Sequence, residues 1–264
     1  MQVVTLTTEW KPDDIYPGII KGMLCSLCPG VFIIDNATGI PVFNISHASF
    51  IIRNTYNRYP KGTIHIICVH SEADRQQDYL IVKARDHFFI GNNNGIFNLI
   101  LNSEPDEIIR IDHEGINDEL EIFAKAASGL IKGKSASELG VPFKTIDERV
   151  PLRATIDKDV VIGSIIFIDS YGNVISNITR EVFNRVFEKR DFRISVQSNK
   201  NYTNRISQRY NDVPVGELLT RFNSLDLLEI SINGANISEL LSVSIGSAVR
   251  VDLASKAAAP NRLF

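Results

Sequence analysis

The 264-residue sequence contains few cysteines, no long apolar run and no long block of like charge. No apolar run reaches the length of a membrane-spanning helix, and residues 1–10 lack the basic and apolar regions of a signal peptide. We therefore expect a cytoplasmic protein without a membrane partner. The net charge of −3 leaves no electrostatic footprint for nucleic acid, so we expect no nucleic-acid partner.

Two of the three cysteines stand at a spacing typical of metal or redox sites. Cys25 and Cys28 are separated by two residues, but they fall within a predicted helix, and no second Cys or His pair follows at ligand distance. A structural zinc site needs four ligands. We therefore expect buried helical thiols and no metal, with a redox or metal role as the alternative.

Apolar periodicity predicts an α/β domain in the first part of the chain. Strands are predicted at residues 3–7, 31–35, 63–69, 79–83 and 88–90, and helices at 15–27, 45–58 and 118–132. Such alternation of strands and helices favours a mostly parallel sheet with helices on both faces. We expect this N-terminal domain to span residues 1–145.

The character of the sequence changes after residue 145. Residues 146–159 are polar and without clear period, which predicts a linker. Beyond them, short strands are predicted at 160–168, 173–178, 192–196, 227–232 and 248–253, separated by Gly-Asn and Asn-Gly turns. This pattern predicts a smaller all-β domain, a barrel or a sandwich, over residues 160–264.

Polar residues follow several predicted strands, at the edge where α/β proteins bind ligands. Glu9 follows the first strand, and a carboxylate there can accept both hydroxyls of a ribose or cap a helix. His70 begins an abrupt polar turn after the strand at 63–69. The Gly-Asn-Asn-Asn-Gly stretch at 91–95 is either a bare turn, because Asn and Gly tolerate positive φ, or a ligand loop.

One turn of the second domain carries more functional groups than a hairpin requires. Gly172 and Asn173 are ordinary turn residues. Asp169 and Tyr171 beside them add a hydrogen-bond acceptor and an aromatic ring for stacking. This surplus indicates a binding turn.

Several short motifs occur in order from about Val3 to Val251. They are Thr7-Thr8-Glu9-Trp10-Lys11, Asp14-Ile15-Tyr16-Pro17-Gly18 with Lys21-Gly22, Pro60-Lys61-Gly62-Thr63-Ile64-His65, the stretch Ile168 to Asn177, and Asn223-Ser224 with Leu228-Glu229-Ile230 and Asn233-Gly234-Ala235-Asn236. Each motif alone is weakly specific. In this order they resemble the S-adenosylmethionine hydroxide adenosyltransferases, relatives of the fluorinating and chlorinating enzymes.

The resemblance implies an α/β N-terminal domain followed by a β-barrel C-terminal domain, in agreement with the periodicity. It implies a homotrimer in which each small-molecule ligand lies between the N-terminal domain of one subunit and the C-terminal domain of the next. The implied ligand or substrate is S-adenosylmethionine, without a metal. In this family, activated water attacks C5′ and releases methionine and adenosine.

The resemblance also implies roles for individual residues. The methionine end of the ligand carries two charged groups, which need polar partners when buried. In the first domain Glu9 would hold the ribose diol and Phe43 would flank the sugar. In the second domain the implied contacts are Asp169, Asn173 and Ser224 for the methionine end, Tyr171 for stacking on adenine, and the backbone of Asn233 and Gly234 for the adenine edge.

The water-activating positions depart from the family pattern. The family uses an Asp, an Arg and a His, and these positions hold His70, Gln77 and Asp118 here. A site that generates hydroxide needs a base and a group that orients it. Replacement of the Arg also removes a fixed positive charge.

Two hypotheses about activity follow. In the first, the site is degenerate, and the chain either binds an adenosyl ligand without catalysis or catalyses another reaction; a purely structural trimer with an empty pocket is a separate alternative. In the second, two roles are exchanged, with His70 as the base and Asp118 as its orienting carboxylate. A His–Asp pair can take a proton from water near neutral pH.

Overall fold

The computed structural model describes residues 2–73, 78–101 and 103–254 and divides into two compact units, Met1–Pro151 and Leu152–Phe264. The division falls inside the stretch predicted as a linker, and the limits predicted for the two domains remain a prediction. Within the described ranges, no helix is long and apolar enough to cross a membrane.

The N-terminal unit is built on a seven-stranded sheet in the order β2-β1-β3-β5-β4-β6-β7. Its strands are β1 (Val3–Thr8), β2 (Phe32–Ala37), β3 (Ile64–Cys68), β4 (Tyr79–Ala84), β5 (His87–Asn92), β6 (Glu107–Ile111) and β7 (Gly140–Pro142). Its helices are α1 (Ile15–Leu27), α2 (Ile45–Thr55), α3 (Ile96–Leu101) and α4 (Glu119–Ile131), with short 3-10 turns at Tyr56–Arg58 and Ala136–Glu138.

The sheet is mixed, since β2, β1, β3 and β5 pair in parallel while β4, β6 and β7 pair antiparallel. The reason lies in the connection from β4 to β5, which consists of Arg85 and Asp86 only. Both residues have positive φ, 50° and 63°. A two-residue turn of this kind joins antiparallel strands, whereas a parallel crossover needs a dozen or more residues.

Helices cover both faces of this sheet, so the predicted α/β class is confirmed. Period-two alternation along the strands sends side chains to two separate cores. Leu6 and Ile66 pack with α1 and α4 on one face. Ile67 and Phe89 pack with α2 and α3 on the other. The C-terminal ends of β1 and β3 therefore lie side by side at one edge, between the two helical layers.

The C-terminal unit is an antiparallel, nearly closed barrel, and the predicted barrel is confirmed. Its strands are β8 (Thr155–Asp157), β9 (Val160–Ile168), β10 (Val174–Thr179), β11 (Phe192–Val196), β12 (Ser198–Thr203), β13 (Leu218–Phe222), β14 (Leu227–Ile232) and β15 (Ala248–Leu253). Two helices, α5 (Arg180–Phe187) and α6 (Ile237–Leu240), and a 3-10 turn at Tyr210–Asp212 complete it.

The barrel sheet runs in the order β12-β11-β15-β9-β10-β14-β13, with β8 paired to β9. Its two ends approach each other, because Ser207 N donates to Thr220 O at 2.7 Å and Thr220 Oγ1 donates to Arg205 O at 2.8 Å. Apolar side chains fill its interior, among them Val161, Val174 and Ile230. A nearly closed sheet leaves few unpaired strand edges. Its paired strands therefore support the turns at the two ends of the barrel.

Candidate functional site

Glu9 lies at the C-terminal end of β1, where its side chain bridges two loops. Its backbone N–H donates to Cys68 O at 3.1 Å and so continues the pairing of β1 with β3. Its carboxylate accepts from Phe43 N at 2.6 Å through Oε2 and from His70 N at 3.2 Å through Oε1. Three residues predicted separately for the site are thereby brought together.

The rings of Phe43 and His70 lie next to each other in a tilted arrangement at this edge of the sheet. Their centroids are 5.1 Å apart, and their planes meet at 59°. Both residues have a left-handed backbone, with φ of 61° and 49°, which is uncommon for residues with a Cβ. Phe43 is 64% exposed and His70 is also exposed, so the two rings form an open aromatic surface on the residues whose backbones bind the Glu9 carboxylate.

Asparagine side chains of the 91–95 stretch support the His70 loop through hydrogen bonds to its backbone carbonyls. Asn92 Nδ2 donates to the carbonyls of His70 and Glu72, and Asn94 Nδ2 donates to those of Val69 and His70, at 2.9 to 3.3 Å. Both asparagines are buried. The stretch is therefore more than a bare turn, because its amides support the loop that carries His70. The sequence showed the amides but not their partners.

Asp118, the proposed partner of His70, caps helix α4. Its Oδ1 accepts from Leu120 N at 2.9 Å, and the residue is exposed. Within the described residues, no hydrogen bond or ion pair joins Asp118 to His70. Gln77, the third predicted catalytic residue, lies outside the described residues. The exchanged roles of His70 and Asp118 remain a prediction.

Burial raises the pKa of two side chains near the His70 loop. Tyr79 Oη accepts from Ala73 N at 3.1 Å, and burial raises the pKa of the Tyr79 phenol. Cys68 is fully buried at the end of β3, and burial raises the pKa of its thiol well above its ordinary value. A neutral thiol is a poor nucleophile and a poor metal ligand, so Cys68 belongs to the core.

The Cys25-to-Cys28 segment shows no disulfide, since all three cysteines are free. The expectation of two buried helical thiols is wrong for Cys25, which is exposed on α1. Cys28 is buried at the position that ends the helix. Residues three apart share one face of a continuous helix, but Cys28 is the C-cap and has a non-helical backbone, with φ of −139° and ψ of 74°. No group of three His, Cys, Asp or Glu residues within the described ranges could hold a metal ion.

In the C-terminal unit, Asp169 organises the turn between β9 and β10. Its Oδ1 accepts from the backbone N–H groups of Tyr171 and Asn173, and its Oδ2 accepts from Asn173 Nδ2, all at 2.9 Å. Each carboxylate oxygen offers two acceptor positions, so one position on Oδ2 remains. The turn presents Tyr171, which is 79% exposed, while Asn173 is buried beneath it.

A second turn packs against the Asp169 turn. Gly172 has φ of 80°, and a Cβ there would overlap the side-chain amide of Asn236. Asn233 Nδ2 donates to Val213 O at 2.8 Å, and Gly234 has φ of 77°. The predicted positions Asp169, Tyr171, Asn173, Asn233 and Gly234 therefore share one end of the barrel.

Ser224 lies at the other end of the same strands. Ser224 stands in the turn before β14, near the start of that strand, where Leu227 is opposite Thr179. The Asp169 turn lies towards the other end of β14, next to the pairing of Val174 with Ile230. The six residues of β14 rise about 3.3 Å each, which separates the two ends by the length of the strand. The structure does not bring Ser224 together with the other predicted ligand contacts of this unit, and its role remains a prediction.

A buried glutamate of β14, Glu229, has two polar partners that were not predicted. Tyr210 Oη donates to Glu229 Oε1 at 2.6 Å, and Arg221 Nε lies 4.0 Å from the same oxygen. Burial, reinforced by the carboxylate, raises the pKa of Tyr210 to about 12. The only signal in the sequence was a glutamate between apolar residues of a strand, which requires a partner when buried.

Comparison with known proteins agrees with these two units. The chain matches the SAM hydroxide adenosyltransferase N-terminal domain over residues 4–140 and the corresponding C-terminal domain over residues 163–250. It is 23% identical to an (R)-S-adenosyl-L-methionine hydrolase of Thermus thermophilus, over 95% of this chain and all of the relative. A hydrolase of the same name from Methanocaldococcus jannaschii is 22% identical over 69% of this chain and 68% of the relative.

Solved structures show the same fold. An uncharacterized conserved protein from Thermotoga maritima superposes with a TM-score of 0.84 at 22% identity, over 96% of this chain and all of the other. A conserved hypothetical protein from Thermus thermophilus superposes with a TM-score of 0.76 at 22% identity, over 95% of this chain and all of the other. With both family domains matched in order, the chain belongs to the SAM hydroxide adenosyltransferase family.

Proposed function

We propose that this protein binds S-adenosylmethionine, with the ribose at Glu9, Phe43 and His70. The observation that carries the proposal is the convergence of these three side chains at the end of β1. Each oxygen of the Glu9 carboxylate accepts one backbone N–H, and a second acceptor position on each oxygen suits the two hydroxyls of a ribose diol. The exposed aromatic surface suits the apolar faces of the sugar.

The rest of the ligand is assigned to the barrel turns. Tyr171 offers an exposed ring for adenine, and Asp169 with Asn173 offers polar groups for the methionine end. In this proposal the protein is a homotrimer, and the barrel turns of one subunit complete the ribose site of the next. The matched relatives, which are named as hydrolases of (R)-S-adenosyl-L-methionine, support the ligand class.

Hydrolysis is the second candidate function, and the contact of His70 with Phe43 favours it. An imidazole beside the sugar position can take a proton from water as the water oxygen attacks C5′. The C5′–S bond breaks, its electron pair returns to sulfur, and methionine and adenosine are the products. His70 then releases the proton to solvent. The exposed Asp118, without a described contact to His70, supports the non-catalytic alternative instead.

Binding and hydrolysis are separable by two measurements on the full chain. We expect calorimetric titration with S-adenosylmethionine and with adenosine to give saturable binding, weakened about tenfold or more in Glu9→Gln, because a carboxamide has lost one acceptor oxygen. Glu104→Gln, an exposed position of the same unit, is the control. Wild-type protein that binds neither compound would contradict the proposal.

Chromatography of the same mixtures decides the second candidate. Protein-dependent adenosine and methionine that disappear in both His70→Ala and Asp118→Ala would establish exchanged roles. Hydrolysis that persists in both variants excludes His70 as the base. Binding without any product identifies a non-catalytic adenosyl-ligand-binding protein.

A further inference from the structure

Two strained residues of the ribose site depend on one side chain. Phe43 and His70 both adopt positive φ, and neither is glycine. Residues in this region persist where surrounding contacts determine their conformation. The backbone N–H of each residue donates to a different oxygen of Glu9, although they lie 34 and 61 positions away in the sequence. Both loops are therefore tied to the same carboxylate.

The other contacts of Glu9 make it a firm anchor. Its backbone N–H continues the β1–β3 ladder through Cys68 O. Beside it, Ile40 N donates to Thr8 O and Gly39 N donates to Trp10 O, which fastens the loop leading to Phe43 onto the end of β1. The His70 carbonyl accepts from Asn92 and Asn94. The His70 backbone is thus held at its carbonyl by the asparagines and at its N–H by Glu9.

We propose that Glu9 is a positioning residue whose carboxylate holds the left-handed backbones of Phe43 and His70 and thereby keeps their rings next to each other. Glutamate suits this task better than aspartate, because two N–H groups from two loops must reach both oxygens at once. A side chain one methylene shorter would draw the carboxylate back towards β1. This proposal rests on the proposed function, which places these two rings beside the ribose.

The variant Glu9→Asp keeps the carboxylate but shortens its reach, and amide exchange measured without ligand reports the effect on positioning alone. In full-length protein labelled with 15N-phenylalanine and 15N-histidine, without ligand, we expect the amides of Phe43 and His70 to exchange with solvent about tenfold faster in the variant, as charge-assisted hydrogen bonds are lost. Glu9→Gln, with one acceptor oxygen, should leave one amide protected. Glu72→Asp, an exposed glutamate of the His70 loop, is the control.

Unchanged exchange at both amides in Glu9→Asp would overturn the proposal. A titration with adenosine gives the functional readout. If positioning matters, Glu9→Asp weakens adenosine binding about tenfold, although the carboxylate remains. Faster exchange with undiminished adenosine affinity would also overturn it. If wild-type protein binds neither S-adenosylmethionine nor adenosine, the proposed function fails, and the exchange experiment still decides whether Glu9 holds the two backbones.

Discussion

Asp169 has most of its acceptor positions filled by its own turn. It accepts from two backbone N–H groups and from the Asn173 side chain. A carboxylate used in this way stabilises a loop, and it presents the neighbouring groups in a defined arrangement. Asp169 therefore fixes the positions of Tyr171 and Asn173 within the turn.

Replacement of Asp169 by asparagine tests this structural role. The amide would retain one acceptor oxygen but direct an NH2 group at Asn173 Nδ2 or at the backbone N–H groups. We expect the variant to lose about 1–3 kcal/mol of stability, measured by urea unfolding of the full chain. Asp157→Asn, at an exposed position of β8, serves as the control. Equal unfolding midpoints for Asp169→Asn and wild type would show that the turn does not need the carboxylate.

At the scale of elements, turns determine how the strands pair. The two-residue turn at Arg85 and Asp86 makes β4 antiparallel to β5 and so converts a parallel sheet into a mixed one. Positive φ of this kind is recognisable from sequence mainly when the turn contains glycine, as in Asn-Gly or Asp-Gly pairs. The turn between β4 and β5 contains no glycine, so the sequence pattern indicated two strands without indicating their relative direction.

Two glycine-to-alanine changes should have opposite effects on stability. Gly172 has positive φ and no room for a Cβ next to Asn236, so Gly172→Ala should destabilise the protein by about 1–3 kcal/mol or more. Gly18 lies within α1, and a Cβ added there would have no neighbouring atom within 4 Å. Gly18→Ala should stabilise the protein by about 0.5–1 kcal/mol.

Thermal unfolding of both full-length variants gives the comparison. If Gly172→Ala were as stable as wild type, the turn and Asn236 would have to move apart without cost. A loss of stability in Gly18→Ala would mean that the exposed face of α1 has a partner.

Helices α1 and α4 were predicted almost to the residue, because apolar periodicity and capping residues are local signals. Asp14 and Asp118 accept hydrogen bonds at the two helix starts. Helices α3 and α5 were missed, since six or eight residues give too few turns to establish a period. Of the site residues predicted in the N-terminal unit, Glu9, Phe43 and His70 converge. Within the C-terminal unit, Ser224 lies apart from the Asp169 turn.

At the scale of the whole molecule, a buried histidine pair makes stability depend on pH. His65 Nδ1 lies 2.7 Å from Thr5 Oγ1, and His65 Nε2 lies 3.2 Å from His87 Nδ1. The His65 ring also stacks on Phe89 at 5.0 Å. Burial, with the neighbouring His87, lowers the pKa of His65 to about 3 from an ordinary 6.5. The imidazole of His65 is therefore neutral in the folded protein.

Acid should unfold the protein through this pair. Because the unfolded chain binds a proton at His65 below pH 6.5 and the folded chain does not, stability is complete above pH 6.5 and falls as pH decreases towards 3. At pH 5 the expected loss is about 2 kcal/mol. Burial lowers the pKa of His87 as well, which acts in the same direction.

Urea unfolding at pH 7.5 and pH 5 measures this loss in wild type, in His65→Gln and in His113→Gln, an exposed histidine. The pH effect should shrink in His65→Gln and persist in His113→Gln. The same pH effect in all three proteins would assign it to other groups.

The sequence by itself determined the α/β and β-barrel classes, the family, and the positions of the long helices, because periodicity, caps and ordered motifs are encoded along the chain. Tertiary structure alone decided the direction of β4, the support of His70 by Asn92 and Asn94, and the hold of Glu9 on Phe43 and His70. These contacts join residues up to 61 positions apart. Their geometry follows from the path of the folded backbone and the packing of two helical layers on one sheet, which no local pattern records.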